Sequence, residues 1–131
     1  MKFLRFEEAG AATLGVLRED GVVSLKSLAA EYPTMMAIVA AGDVALTMIA
    51  AHVAAATEVL PLGSVRLLAP IERPGKYLGI GMNYRKHIVE AERLGVAEPK
   101  QQFWFNKQTS CIVGPYDDTD PGVTEKLDYE V

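Results

Sequence analysis

Lys2, Leu4 and Phe6 fall on one side of an alternating stretch and Phe3 and Arg5 on the other, the period of a β-strand. Two further apolar runs, residues 12–17 and 22–25, are separated by Arg18-Glu19-Asp20-Gly21. Asp-Gly supplies the positive-φ residues of a tight hairpin turn, so three short strands are predicted to open the chain. The pattern then changes. Residues 27–57 are mostly Ala, Met, Leu and Ile with little β-branching, which favours helix. Pro33 and Thr34 suit a helix start, Gly42 its C-terminal cap, and Asp43 the cap of a second helix from Val44 to about Ala56.

This second helix raises the question of a membrane span over residues 35–56. Gly42-Asp43 sits near its middle, and a central Asp costs roughly 2.5–3.5 kcal/mol on insertion scales, which the surrounding alanines repay poorly. Two packed helices in a soluble domain are expected instead. His52, inside the second helix, reads as a surface or packing histidine. Pro61, Gly63, Pro70, Pro74 and Gly75 then punctuate the chain around a short strand at 65–68. The predicted organisation is α+β: a small N-terminal α/β domain (β-hairpin plus helices) over residues 1–66, then a second domain over 67–131.

The second domain opens with a short apolar strand, residues 77–80, that runs into Gly79-x-Gly81. Glycines between a strand and a helix suggest a dinucleotide fingerprint, but the third glycine position holds Tyr84, which would block close helix–strand packing. His87 and Glu90 follow, three residues apart and therefore on one side of a helical turn. A carboxylate beside an imidazole orients it and raises its basicity, as a general base acting on water requires. A solvated helix fits the same spacing, since Arg85, Lys86, Glu92 and Arg93 surround the pair. Residues 102–112 read as a strand with Phe103, Phe105 and Lys107 on one face. Lys107 is either an anchor for a carboxylate substrate or a lysine leaving a sheet edge for solvent. Cys111, among apolar neighbours, reads as a small core residue rather than a nucleophile. Asp117, Asp118 and Asp120 lie among Pro115, Pro121 and Gly122 without the spacing of a Ca²⁺ loop, and are expected to be solvated. Residues 126–131 alternate again, with Asp128 and Glu130 on one face. Carboxylates two apart on a strand suit a hard divalent cation.

Composition narrows the function classes. Across 131 residues the net charge is −4, which argues against a nucleic-acid partner. Half the residues are hydrophobic, enough for a real core. A single cysteine excludes an internal disulfide and suits a reducing cytosol. No uninterrupted apolar run follows Met1, so no secretory signal is predicted. Val131 falls inside a predicted strand, and a truncated, cleaved or partial chain is the expectation.

The ordered set G-x-N-Y-x-x-H-x-x-E at 81–90, F-x-K at 105–107 and L-D-Y-E-V at 127–131 resembles the fumarylacetoacetate hydrolase superfamily. The resemblance is close over residues 67–131, and residues 1–66 are similar to the small N-terminal domain of many members. It implies that the second domain is the start of a mixed β-roll catalytic domain. It also implies Mg²⁺ or Mn²⁺ as cofactor, with Glu130 the first metal carboxylate, His87 and Glu90 the catalytic dyad, and Lys107 a lysine near the substrate. The implied activity is metal-dependent C–C bond hydrolysis of acylpyruvate-type oxo acids. Decarboxylation, isomerisation or hydration on the same scaffold is an alternative, and so is a non-catalytic assembly fragment. A small-molecule oxo-acid partner and a homodimer or higher homo-oligomer follow from the same likeness, while a cytoplasmic location and no membrane are the expectations from the single cysteine and from Asp43. Fumarylacetoacetase itself has an aspartate seven residues before the histidine; Ile80 stands there, which favours smaller 2-oxo or 3-oxo acids.

Overall fold

The alternation at the N-terminus becomes two antiparallel strands, β1 (Lys2–Glu8) and β2 (Ala11–Arg18), in register from Lys2↔Leu17 to Glu8↔Ala11. Their turn is Ala9-Gly10, both residues at positive φ (50° and 79°), as a two-residue hairpin of the right twist requires. Glu19-Asp20 then turns the chain into β3 (Gly21–Ser24), which pairs with β2. The structure, a computed structural model, describes residues 1–126. It divides into two units, one of Met1–Glu72 with the described residues from Val113 onward, the other of Arg73–Ile112.

In the first unit a fourth strand, β4 (Arg66–Leu68), joins the free side of β1, giving the antiparallel order β3-β2-β1-β4. The edge at β3 is met by Leu60, which exchanges backbone hydrogen bonds of 2.8 and 2.9 Å with Val22. Gly21 permits that approach. Its φ of +144° is open to glycine, and a Cβ there would run into the Leu60 carbonyl.

Two helices cover the sheet. α1 (Met35–Ala41) starts where Thr34 Oγ1 accepts a 3.1 Å hydrogen bond from the Ala37 N–H, and ends at Gly42. α2 (Asp43–Ala55) follows directly, bent by 116° from α1. Asp43 is its first residue rather than its cap, with the carboxylate at the positive end of the helix dipole. At the other end Arg18 Nη1 donates to the carbonyls of Val53 and Ala56, both at 3.2 Å. Its Nε and Nη2 each lie 2.6 Å from the Asp20 carboxylate. That bidentate pair holds the Asp20 carboxyl below the usual range and places a cation on the last carbonyls of α2.

Leu14, Val16, Leu25, Tyr32, Met35, Ile38, Ala45 and Ile49 form the core between sheet and helices, with Phe3 and Ile71 against it. Phe6 and Ile49 are fully buried, each worth about 1.5–3 kcal/mol by transfer. Apolar residues are spread around α2 rather than gathered on one face, so Val44, Leu46 and Met48 are exposed while Ala45 and Ile49 are buried. No single helix among the described residues is long and apolar enough to cross a membrane. The fold is α+β, as the pattern predicts.

The second unit holds β5 (Leu78–Ile80), α3 (Arg85–Arg93) and β6 (Trp104–Asn106), with β5 and β6 paired antiparallel. The strand expected over 102–112 is confined to those three residues. Past Lys107 the chain makes a short 3₁₀ turn, Thr109–Cys111, which leaves Cys111 exposed instead of in a core. Its Sγ reaches the Gln108 carbonyl at 2.8 Å. Asp117 is not merely solvated either: it accepts from the Gly114 N–H at 2.8 Å and from Arg66 at 2.7 Å. Neighbours in sequence decide neither case, because turn geometry exposes Cys111 and a distant strand supplies Arg66.

Candidate active site

The β5–β6 ladder sets the first half of the site. Leu78 pairs with Asn106, Gly79 with Phe105 and Ile80 with Trp104. Backbone bonds extend the pairing at both ends, from Lys107 N–H to the Tyr77 carbonyl at 2.8 Å and from Gly81 N–H to the Phe103 carbonyl at 3.1 Å. On one face the order is therefore Tyr77 beside Lys107, Gly79 beside Phe105 and Gly81 beside Phe103.

The two glycines make room for the two rings. A Cβ at Gly79 would clash with the Phe105 ring, and one at Gly81 with that of Phe103. Gly79-x-Gly81 thus serves aromatic packing across the β5–β6 ladder, and the dinucleotide reading has no place here. The same face carries Lys107, whose Nζ lies 5.7 Å from the Phe105 ring centre and 5.9 Å from that of Tyr77. Those distances are at the reach of a cation–π contact. No local pattern marks Tyr77 as a partner of Lys107; the signal is its place opposite Lys107 once β5 and β6 pair with period two.

After β5 the chain leaves through Met82, at a positive φ of 52°, and enters α3 with the Ile88 N–H on the Tyr84 carbonyl at 3.0 Å. Ala91 is buried and Ile88 half-buried, which fixes the inward face of α3. His87 and Glu90 lie one helical turn apart, both exposed. No hydrogen bond joins their side chains among the described residues. α3 ends in a Schellman arrangement: Val96 N–H bonds the Ala91 carbonyl at 2.9 Å and Gly95 N–H the Glu92 carbonyl at 3.0 Å. Gly95 takes the left-handed conformation (φ 81°) that this stop requires.

The spacing argument places His87 and Glu90 on one helix, and the ladder places Lys107 on the aromatic face. Glu130 lies outside the described residues. Among the described residues no three His, Cys, Asp or Glu side chains gather as a metal centre.

A family model described as Rv2993c-like, N-terminal, matches residues 1–70. A Burkholderia ambifaria protein, provisionally named a hydrolase, is 39% identical over the whole chain, which covers 44% of that protein. The human protein named oxaloacetate tautomerase FAHD2A, mitochondrial, is 37% identical over 85% of the chain and 35% of its own length. Fumarylacetoacetate hydrolase domain-containing protein 2 of Pongo abelii matches at the same identity and the same coverage. The chain spans less than half the length of these relatives.

Proposed function

Because this chain belongs to the fumarylacetoacetate hydrolase superfamily, with an Rv2993c-like N-terminal domain over residues 1–70, we propose that it carries the proton-transfer half of an active site. The substrate is a small 2-oxo acid of acylpyruvate type and the reaction is hydrolysis of its C–C bond. The observation that carries this reading is the pair His87 and Glu90, exposed one turn apart on α3, which connects the two strands of a ladder whose aromatic face bears Lys107.

In the proposed reaction Glu90 orients the imidazole of His87, which takes a proton from water. The resulting hydroxide adds to the distal carbonyl carbon. The bond between that carbon and the methylene then breaks, and its electron pair passes into the enolate of the 2-oxo acid product. Protonation of the enolate carbon completes the second product. Lys107 faces the substrate carboxylate as a point charge. Glu130 would be one oxygen ligand of Mg²⁺ or Mn²⁺, and the ion, when bound, supplies Lewis-acid stabilisation of negative charge on the oxo-acid oxygens. A homo-oligomer is the proposed assembly.

A second reading is favoured by the relative named oxaloacetate tautomerase. The same His87 would remove a proton from the methylene of oxaloacetate and return one to the carbonyl oxygen, giving the enol with no bond between carbons broken. Two assays on the intact enzyme with Mg²⁺ separate the readings: release of pyruvate from an acylpyruvate, and keto–enol exchange of oxaloacetate. Pyruvate release that disappears in His87→Ala supports hydrolysis. Exchange without pyruvate release supports the tautomerase, and neither activity would overturn both.

A further inference from the structure

The ladder that carries Lys107 also carries two rings that no step of the proposed reaction uses. Phe103 and Phe105 share the face of Lys107, at intervals of two residues along the chain. Neither ring stands upright from the sheet. The atoms nearest to a Cβ built at Gly79 are Cζ and Cε of Phe105, and at Gly81 those of Phe103, the far edge of the ring in both cases. Each ring therefore crosses the ladder and rests that edge over a glycine.

A single exposed ring is ordinary on a protein surface. The order along this face is not. A cation stands at one end, with the Lys107 Nζ 5.7 Å from the centre of the Phe105 ring. Phe105 follows, half-buried. Phe103 comes last and is 46% exposed, supported from beneath by the backbone and open on its other side. Successive positions on one face of a strand are about 7 Å apart. Apolar surface thus begins beside the ammonium and continues one such step further to the open ring.

A compact oxo acid whose carboxylate is held at Lys107 ends before that second ring. A second carboxylate laid along the rings would lose water and meet the negative faces of two π-systems. An uncharged acyl chain or an aromatic group gains by covering them. We infer that Phe105 and Phe103 form an acyl subsite, in which Phe103 sets the preference for 2-oxo acids that carry a long or aromatic apolar acyl group. This inference rests on the reading under Proposed function, in which Lys107 faces the substrate carboxylate.

The test uses the intact enzyme with Mg²⁺. In the parent, Phe103→Ala and Phe103→Leu, kcat/KM is measured for acetylpyruvate, hexanoylpyruvate and benzoylpyruvate. Ratios between substrates are compared, because they do not depend on how much of a variant folds. In the parent the two larger substrates should exceed acetylpyruvate by about tenfold or more, the lower end of what a methylene is worth in an apolar pocket. Phe103→Ala should bring both ratios close to one, and Phe103→Leu should keep part of the preference for the hexanoyl chain. Ratios near one in the parent would overturn the inference, as expected if the rings pack only against another part of the protein. Ratios in Phe103→Ala that match the parent's would remove Phe103 from the subsite. Calorimetric binding of pyruvate and 2-oxooctanoate, neither of which has the bond to be hydrolysed, separates the subsite from the reaction. The longer acid should bind more tightly in the parent and lose that advantage in Phe103→Ala. Should no acylpyruvate be cleaved, the proposed hydrolysis fails, and the two affinities still decide: equal values in the parent would overturn the subsite.

Discussion

Phe105 lies across Gly79, its partner in the β5–β6 ladder, so that a side chain at residue 79 and the ring would occupy the same space. Phe103 stands in the same relation to Gly81. The aromatic face that presents Lys107 exists because two residues of β5 and its exit have no Cβ. Gly79→Ala should displace the ring and lower stability by about 1–3 kcal/mol, the usual range for overpacking. Urea denaturation measures this, and adding Phe105→Leu should recover part of the loss.

His87 and Glu90 are exposed and bear no packing, so replacing them should leave the fold intact. His87→Ala is expected to lower kcat by roughly 10²–10⁴, the span of general acid–base catalysis, with an unchanged circular dichroism spectrum and unchanged metal affinity. Glu130→Gln should do the reverse and weaken Mg²⁺ or Mn²⁺ binding in a titration. Near-normal turnover in His87→Ala would remove it from the base role.

The Asp117 carboxyl is held below its ordinary value by the Gly114 N–H first and by Arg66 second. A depressed carboxyl contributes stability that is present above the unfolded value of about 3.9 and is lost as the pH falls through the lower folded value. Asp117→Asn should accordingly lower the melting temperature at neutral pH. The gap to the parent should close as the pH drops below about 4, and a gap that persisted at pH 2 would contradict the assignment.

Thr34→Ala removes the acceptor for the Ala37 N–H at the start of α1. A loss of about 0.5–2 kcal/mol is expected, readable as a shift in the urea midpoint with an unchanged slope.

What could be read in advance divides by the range of the interaction. β1, β2 and β3 follow from period-two alternation and α1 and α2 from composition and caps, all signals contained within a few residues. The Ala9-Gly10 turn was silent because alanine carries no turn signature, even though it adopts a positive φ here. The short length of β6 is also hidden, since the alternation through Phe103, Phe105 and Lys107 gives no sign of where the pairing stops. His87 and Glu90 were legible as a spacing on a helix. Arg66 and Asp117, 51 residues apart, belong to no local pattern, and neither does the Arg5 contact with Glu72. Pairs of that kind become visible only when the strands that carry them are side by side.

The mutual hydrogen bonds of Val22 and Leu60 close a ring of chain that contains both helices of the first unit. Within that ring backbone continuity is redundant, because the strand edge and the core hold its two ends independently. A protease that nicked the exposed Ala-rich side of α2 would leave two pieces that stay associated and migrate as one until denatured. Such a break in α2 would leave the β1–β4 ladder intact.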